Sequence, residues 1–252
     1  MRRRLCAIVT AALALIGSIG PLHAQDRARS ERVRISINGG VQPSAVSFAT
    51  SITNPVYLED SSIDTTYAIG TGRSLDGGAA LRIAGRFGVG VAVSWFSNES
   101  DAAVSAAIPH PFLFSARRVI NGTARRLERT EIAAHLQAVY TVQATRRIDI
   151  ALTAGPSFFR VKQAFVDDVA YGDVYPFEIP TFTAALSTTV SSHKSGFNVG
   201  ADLGMRLSPK VGVGALVRFA RAQMTFALPN RATSVRSSAG GVQLAGGLRF
   251  HF

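Results

Sequence analysis

The feature that most constrains this chain is a two-residue alternation that recurs in eight separate segments. Val33, Ile35 and Ile37 alternate with Arg34, Ser36 and Asn38. Val89, Val91, Val93 and Trp95 alternate with Gly90, Ala92, Ser94 and Phe96. Val242, Leu244, Gly246, Leu248, Phe250 and Phe252 share one face of the last segment, opposite Gln243, Ala245, Gly247, Arg249 and His251. The same period runs through 79–87, 132–143, 148–153, 197–206 and 211–220. A period of two puts alternate side chains on opposite faces of a β-strand, one greasy and one small or polar. Hydrophobic residues make up 47% of the chain, yet no run approaches the ~20 apolar residues that a membrane-spanning helix needs. The hydrophobicity is therefore spread through strands.

The connections between these segments alternate in length. Arg86-Phe87-Gly88, Thr145-Arg146-Arg147 and Ser208-Pro209-Lys210 are tight turns. The others, roughly 49–75, 100–126, 167–191 and 228–236, are long and carry the Pro, Asn, Asp and Ser clusters of loops. Short turns at one end and long loops at the other suit a membrane barrel. Within the fifth segment the apolar residues change parity, from Ile148, Ile150, Leu152 and Ala154 to Phe159, Val161 and Phe165. One extra residue, a β-bulge at Gly155-Pro156, would keep them on one face.

A soluble eight-stranded barrel, such as a lipocalin, shares this period. Three features favour the membrane. The non-apolar faces hold Gly, Ala and Ser with isolated charges, and the chain has only three lysines, Lys162, Lys194 and Lys210. Aromatic residues sit near the strand ends, with Phe87 and Tyr140 by the short turns and Trp95, Phe197 and Phe219 farther along. That spacing suits two girdles around an apolar band. The third feature is the terminal aromatic, Phe252.

The first 24 residues carry Arg2, Arg3 and Arg4, then an apolar stretch from Leu5 to Gly20, then Pro21-Leu22-His23-Ala24. This pattern is that of a cleaved secretory signal peptide. Residues 25–31 are expected to form a short periplasmic segment and 32–252 the barrel. Cys6 is the single cysteine and lies in the signal, so disulfide and thiol chemistry are not expected in the mature chain. The full sequence has a net charge of +11, three of its positive charges being the signal arginines Arg2, Arg3 and Arg4, and the basic remainder points to anionic lipid headgroups more than to nucleic acid, which an exported chain does not meet.

Together, the signal peptide, the eight alternating segments and the closing "GGLRFHF" resemble the small bacterial outer-membrane β-barrels of the OmpA/OmpX/OmpW type. The resemblance covers essentially all of 32–252. It implies an all-β, eight-stranded, antiparallel up-and-down transmembrane barrel with short periplasmic turns and long extracellular loops. It also implies that Leu248, Phe250 and Phe252 form a signal read by the barrel-assembly machinery. The chain is expected to depart from the OmpA pattern in having no peptidoglycan-binding domain after the barrel.

On the inner face the expected polar cluster is Arg34, Arg82, Arg86, His135, Asp149, Asp202, Arg206, Arg218 and Arg249. Eight strands enclose a space that side chains can fill, and charges there must be paired. Register across the 208–210 turn sets Asp202 near residue 216, with Arg218 as its diagonal partner. Arg117, Arg118, Arg125, Arg126 and Arg129 form a basic stretch suited to lipopolysaccharide phosphates or another polyanion. Asp167, Asp168, Asp173 and Glu178 lack any regular metal-ligand spacing. No nucleophile, base and acid stand at a recognisable spacing, and no cofactor is expected. The expected protein is a monomeric, non-catalytic outer-membrane barrel acting structurally, adhesively or defensively through its loops. A small OmpW-like channel and a lipid-acting barrel enzyme are the alternatives.

Overall fold

The computed structural model describes residues 32–43, 46–228 and 234–252. The expected signal peptide, the 25–31 segment and part of the fourth loop lie outside these. Among the described residues every regular element is a strand: β1 (Val33–Gln42), β2 (Val46–Val56), β3 (Glu59–Ile69), β4 (Gly72–Ala84), β5 (Phe87–Pro109), β6 (Arg117–Gln143), β7 (Ile148–Gly172), β8 (Thr181–Arg206), β9 (Val211–Ala227) and β10 (Ser234–His251).

Eight of these strands close on themselves. Antiparallel ladders run β5–β4–β1–β10–β9–β8–β7–β6 and return from β6 to β5. The closing pair joins the first and last strands, with Ile35 opposite Phe250 and Ile37 opposite Leu248. The Phe252 N–H donates to the Val33 carbonyl at 2.9 Å, and the Arg32 and Val33 N–H groups donate to the Phe252 carbonyl at 2.8 and 3.0 Å. Closure leaves no unpaired edge where lipid could not satisfy it. All eight segments with two-residue periodicity are strands of this ring. The remaining pair, β2 and β3, is a hairpin inserted between β1 and β4, and β3 pairs with β5 over Ser62–Tyr67.

The long connections are more ordered than their composition suggests. β5 and β6 stay paired up to Pro109 opposite Arg117, and β7 and β8 up to Gly172 opposite Thr181. The first expected loop is largely the β2–β3 hairpin, paired from Val46–Ile69 to Val56–Glu59. Val46, Thr50, Ile52 and Val56 share the inward parity of β2 and Ile63, Thr65 and Ile69 that of β3, and β-branched residues fit a pleated surface.

The bulge expected at Gly155-Pro156 is absent. β7 pairs with β8 in one register from Ile148–Met205 to Val166–Ser187, and the first shift falls between Val166 and Asp168. Odd residues face inward throughout: Asp149, Thr153 and Ser157, then Phe159, Val161 and Phe165. Even residues face outward: Ile150, Leu152 and Phe158, then Arg160 and Lys162. The apolar residues therefore change face while the strand keeps its register. β9 behaves the same way, with Val217 and Phe219 outward below Arg221 and Gln223, and Arg218 inward below Met224 and Phe226.

The change of face marks a change of surroundings. In the storey next to the tight turns, apolar side chains point out and polar ones point in. In the upper storey the order is the usual one for a protein in water. Ile63, Tyr67, Val104, Ile108, Phe165, Met224 and Phe226 are buried there in one apolar core. Tyr67 stacks on Phe48 at 4.8 Å, and Phe165 lies 5.8 Å from Tyr67 and 5.2 Å from Phe226. The Val166 N–H donates to the Tyr67 hydroxyl at 2.8 Å.

The girdle residues all belong to the outer face. Phe87 and Tyr140 meet at 5.0 Å, and Phe197 and Phe219 at 6.0 Å. Phe87 and Trp95 stand at either end of the apolar run of β5. At ~3.4 Å per residue and a tilt of ~40°, their separation gives the belt roughly 20 Å of height. A closed ring with an apolar outer belt and a charged interior is the architecture of a transmembrane β-barrel.

Candidate functional site

The polar interior of the lower storey brings together most of the residues expected there. Arg249 donates to Asp202 through Nε at 3.1 Å to each carboxylate oxygen and through Nη2 at 2.7 Å to Oδ1. Its Nη1 donates to Asn38 Oδ1 at 2.5 Å. Asn38 Nδ2 in turn donates to Asp76 Oδ1 at 3.0 Å, and the second oxygen of Asp76 pairs with Arg218. Arg34 completes the layer, 2.7 Å from Asp149 and 3.9 Å from Asp202. Three arginines thus face three carboxylates, joined by one amide.

Arg218 does not pair with Asp202. The register placed Asp202 opposite Leu216 as expected, but both charges found partners across the interior instead of along the sheet. In a narrow barrel the far wall is as close as the diagonal neighbour. Arg86 is not in the cluster either: it is exposed in the turn beside Gly85, whose φ is +54°. The register shift between Arg82 and Ala84 takes the chain out of alternation just before that turn. Arg82 and Arg206 are half-buried near the tight-turn end.

A second, uncharged layer lies above. His135 bonds to Ser94 Oγ at 2.9 Å and to Ser157 Oγ at 2.7 Å. Asn198 donates to Ser157 Oγ at 2.8 Å, and Gln137 donates to Asn198 Oδ1 at 2.9 Å. No carboxylate contacts this histidine among the described bonds, and its surroundings are those of a hydrogen-bonded filler.

Arg129 and Glu131 form a third layer at the boundary between the storeys. Arg129 Nε donates to Glu131 Oε1 at 2.7 Å, and Nη2 donates to the Ser238 carbonyl at 2.7 Å. The Gly240 N–H donates to Glu131 Oε2 at 2.8 Å. Arg129 is 1% exposed, so the expected basic stretch is divided. Arg117, Arg125 and Arg126 face solvent, whereas Arg118 is buried near the barrel tip. Arg118 binds Asp173 at 2.5 Å and donates to the Phe177 and Pro109 carbonyls. Both parities occur because a bulge at Arg125–Arg126, where Arg126 has φ +54°, shifts the inward face of β6 by one residue.

The third-loop acids do not converge. Asp173 is paired with Arg118, Thr188 donates to Asp167 at 2.5 Å, and Asn54 donates to Asp168 at 3.3 Å. Among the described residues no group of His, Cys, Asp and Glu is placed to hold a metal ion.

Sequence reasoning missed Asp76, Asn38, Glu131, Gln137, Asn198 and Gln243. Asn38, Gln137, Asn198 and Gln243 lay on faces already identified as polar. Asp76 was hidden because the first loop was extended to residue 75, although Ser74, Asp76 and Gly78 alternate with Leu75 and Gly77.

No protein-family model matches the chain, and no curated protein matches its sequence. Solved structures do align with it. Neisserial surface protein A is 14% identical over 87% of this chain and 97% of its own, with a TM-score of 0.45. The outer membrane protein OprG from Pseudomonas aeruginosa is 10% identical over 88% and 97%, with a TM-score of 0.49. The outer membrane protease OmpT from Escherichia coli is 8% identical over 91% and 99%, with a TM-score of 0.46. The strand ring, the apolar belt and the layered salt-bridged interior by themselves make this chain a closed eight-stranded antiparallel barrel of transmembrane type.

Proposed function

We propose that this protein is a non-conducting, non-catalytic outer-membrane barrel that acts through its projecting β-extension. The tight turns face the periplasm and the upper storey stands outside the cell, as the asymmetry of connection lengths favours. The observation that carries the reading is the filling of the interior. The charged layer and the His135 layer leave cavities of only about 30 and 10 Å³, and the apolar core of the upper storey sits above them. A solute path would have to break ion pairs and then cross a dry core. The salt bridges serve to make a polar interior affordable in a membrane, since unpaired buried charge is costly.

The outward role falls to the hairpin tips. Leu58, Phe112, Phe114, Val174, Tyr175 and Ile179 are all exposed there. Phe112 meets Phe177 at 5.4 Å, and the Ser115 N–H donates to Glu59 at 2.9 Å, so the three tips support one another. Exposed apolar groups gathered in one place favour a contact function. The test is single-channel recording of the refolded protein in planar bilayers. Silence is expected; steady unitary conductance would replace this reading with the channel.

A further inference from the structure

Directly above the apolar belt, four neighbouring strands turn an acid-free wall outward. Residues 156–166 of β7, 187–197 of β8, 219–227 of β9 and 234–242 of β10 contain no Asp or Glu. Their outward positions carry Arg160, Lys162, His193, Arg221 and Arg236, all exposed. Arg160 is one outward position above Phe158, and Arg221 is one above Phe219. His193 lies opposite Arg160 in the ladder. Arg34, Arg118, Arg129, Arg218 and Arg249 each have a carboxylate partner. None of the four outward Arg and Lys residues, Arg160, Lys162, Arg221 and Arg236, has one among the described residues. Unpaired cations on an acid-free surface create a positive field that favours anions.

A cavity of about 320 Å³ adjoins this wall where β2 leaves the side of β10. Pro43 has no N–H to continue the β1–β10 ladder. Gly240 and Gly241 opposite it have φ of +80° and +156°. The cavity is lined by outward-facing Phe219 and Arg221 together with Val46, Ser47 and Ser238. An aromatic floor beneath a guanidinium suits a molecule that is apolar below and anionic above.

Resting on the reading that the barrel stands in an outer membrane, we propose that this wall binds the phosphates of an outer-leaflet glycolipid. Arg160, Lys162 and Arg221 meet the phosphate groups, and the groove beside Phe219 receives the adjoining sugar and upper acyl segment. Height selects lipid over a soluble polyanion, because aromatic girdles mark the headgroup level and basic residues beside it meet lipid phosphate. The site is distinct from the 117–129 stretch. There Arg118 and Arg129 are neutralised inside, and an acid, Asp101, stands beside Arg126, accepting from its backbone N–H at 2.9 Å.

The experiment uses the refolded chain in phosphatidylcholine nanodiscs containing bisphosphorylated lipid A, with retained lipid counted by native mass spectrometry. Wild type should retain lipid A, and Arg160→Gln/Lys162→Gln/Arg221→Gln should bind it roughly 100-fold more weakly. Arg117→Gln/Arg125→Gln/Arg126→Gln should bind like wild type. Equal losses in both variants, no loss in the first, or equal retention of dephosphorylated lipid A by wild type would overturn the site. So would competition by a soluble sulfated oligosaccharide at the affinity of lipid A. If the first variant does not refold, the wild type decides: raising NaCl from about 0.05 to about 0.5 M should release lipid A, and retention would overturn the proposal. Co-flotation with neutral phosphatidylcholine vesicles reports membrane insertion separately, so a failure there counts against the barrel reading and not against the phosphate site.

Discussion

Arg249 grips Asp202 with Nε and Nη2 while Arg218, two residues diagonal to Asp202 on the neighbouring strand, reaches across the interior to Asp76. Partner choice in this interior follows the width of the barrel more than the register of the sheet. Each acid that touches an arginine here is buried, so removal of one partner strands the other.

Asp202→Ala should therefore destabilise the folded barrel by about 3–5 kcal/mol. Urea unfolding from lipid vesicles measures the loss. Asp202→Leu combined with Arg249→Leu should be milder than either single change, because no charge is left alone. A loss below about 1 kcal/mol for Asp202→Ala would mean that water solvates the layer.

The reversal of faces predicts opposite responses along one strand. Val217→Lys places a charge in the apolar belt and should cost roughly 2–4 kcal/mol. Gln223→Lys, on the same outward face of β9 but above the belt, should change stability by about 0.5 kcal/mol or less. Comparable losses at both positions would place the lipid boundary above residue 223.

Phe226, wholly buried in the upper core, should behave like a core residue of a soluble protein. Phe226→Ala should cost roughly 3–5 kcal/mol. Phe252→Ala removes an outward ring but keeps the backbone bonds to β1, and should cost roughly 1–3 kcal/mol on refolding in detergent. The assembly role that the family resemblance implies for Phe252 adds a second expectation. In cells Phe252→Ala should reach the outer membrane less well than Phe219→Ala, and equal levels would make Phe252 an ordinary interfacial aromatic.

The upper storey should also weaken in alkali. Burial raises the Tyr67 hydroxyl above its ordinary value, and burial together with the Tyr57 hydroxyl pushes Tyr171 up to about 12. A phenol whose pKa is raised on folding stays protonated in the native state after the unfolded chain has released its proton. Its contribution is present below the ordinary tyrosine pKa and is lost as pH climbs toward the folded value. Tyrosinate absorbance should show two late-titrating phenols, and Tyr171→Phe should remove one of them. Simultaneous ionisation of every tyrosine at the ordinary pKa would contradict the burial.

The sequence alone determined the eight transmembrane strands, the tight turns, the inward and outward faces and the outward aromatics. A period of two maps directly onto the pleat, and a membrane makes the outer face uniformly apolar. It also placed Arg34, His135, Asp149, Asp202, Arg218 and Arg249 inside, because alternation is local. What only the tertiary structure decided was everything that crosses the barrel or depends on what surrounds it. The Arg218–Asp76 pair joins residues on strands that are not neighbours, and no local register contains that distance. The parity change at Gly155-Pro156 looked like an inserted residue because a single strand records which side is apolar, not whether lipid or water lies beyond it. Arg129 looked like a loop cation until the bulge at Arg125–Arg126 turned it inward onto Glu131. Alternation fixes faces along a strand; closure of the ring and the height of the membrane boundary decide what each face meets.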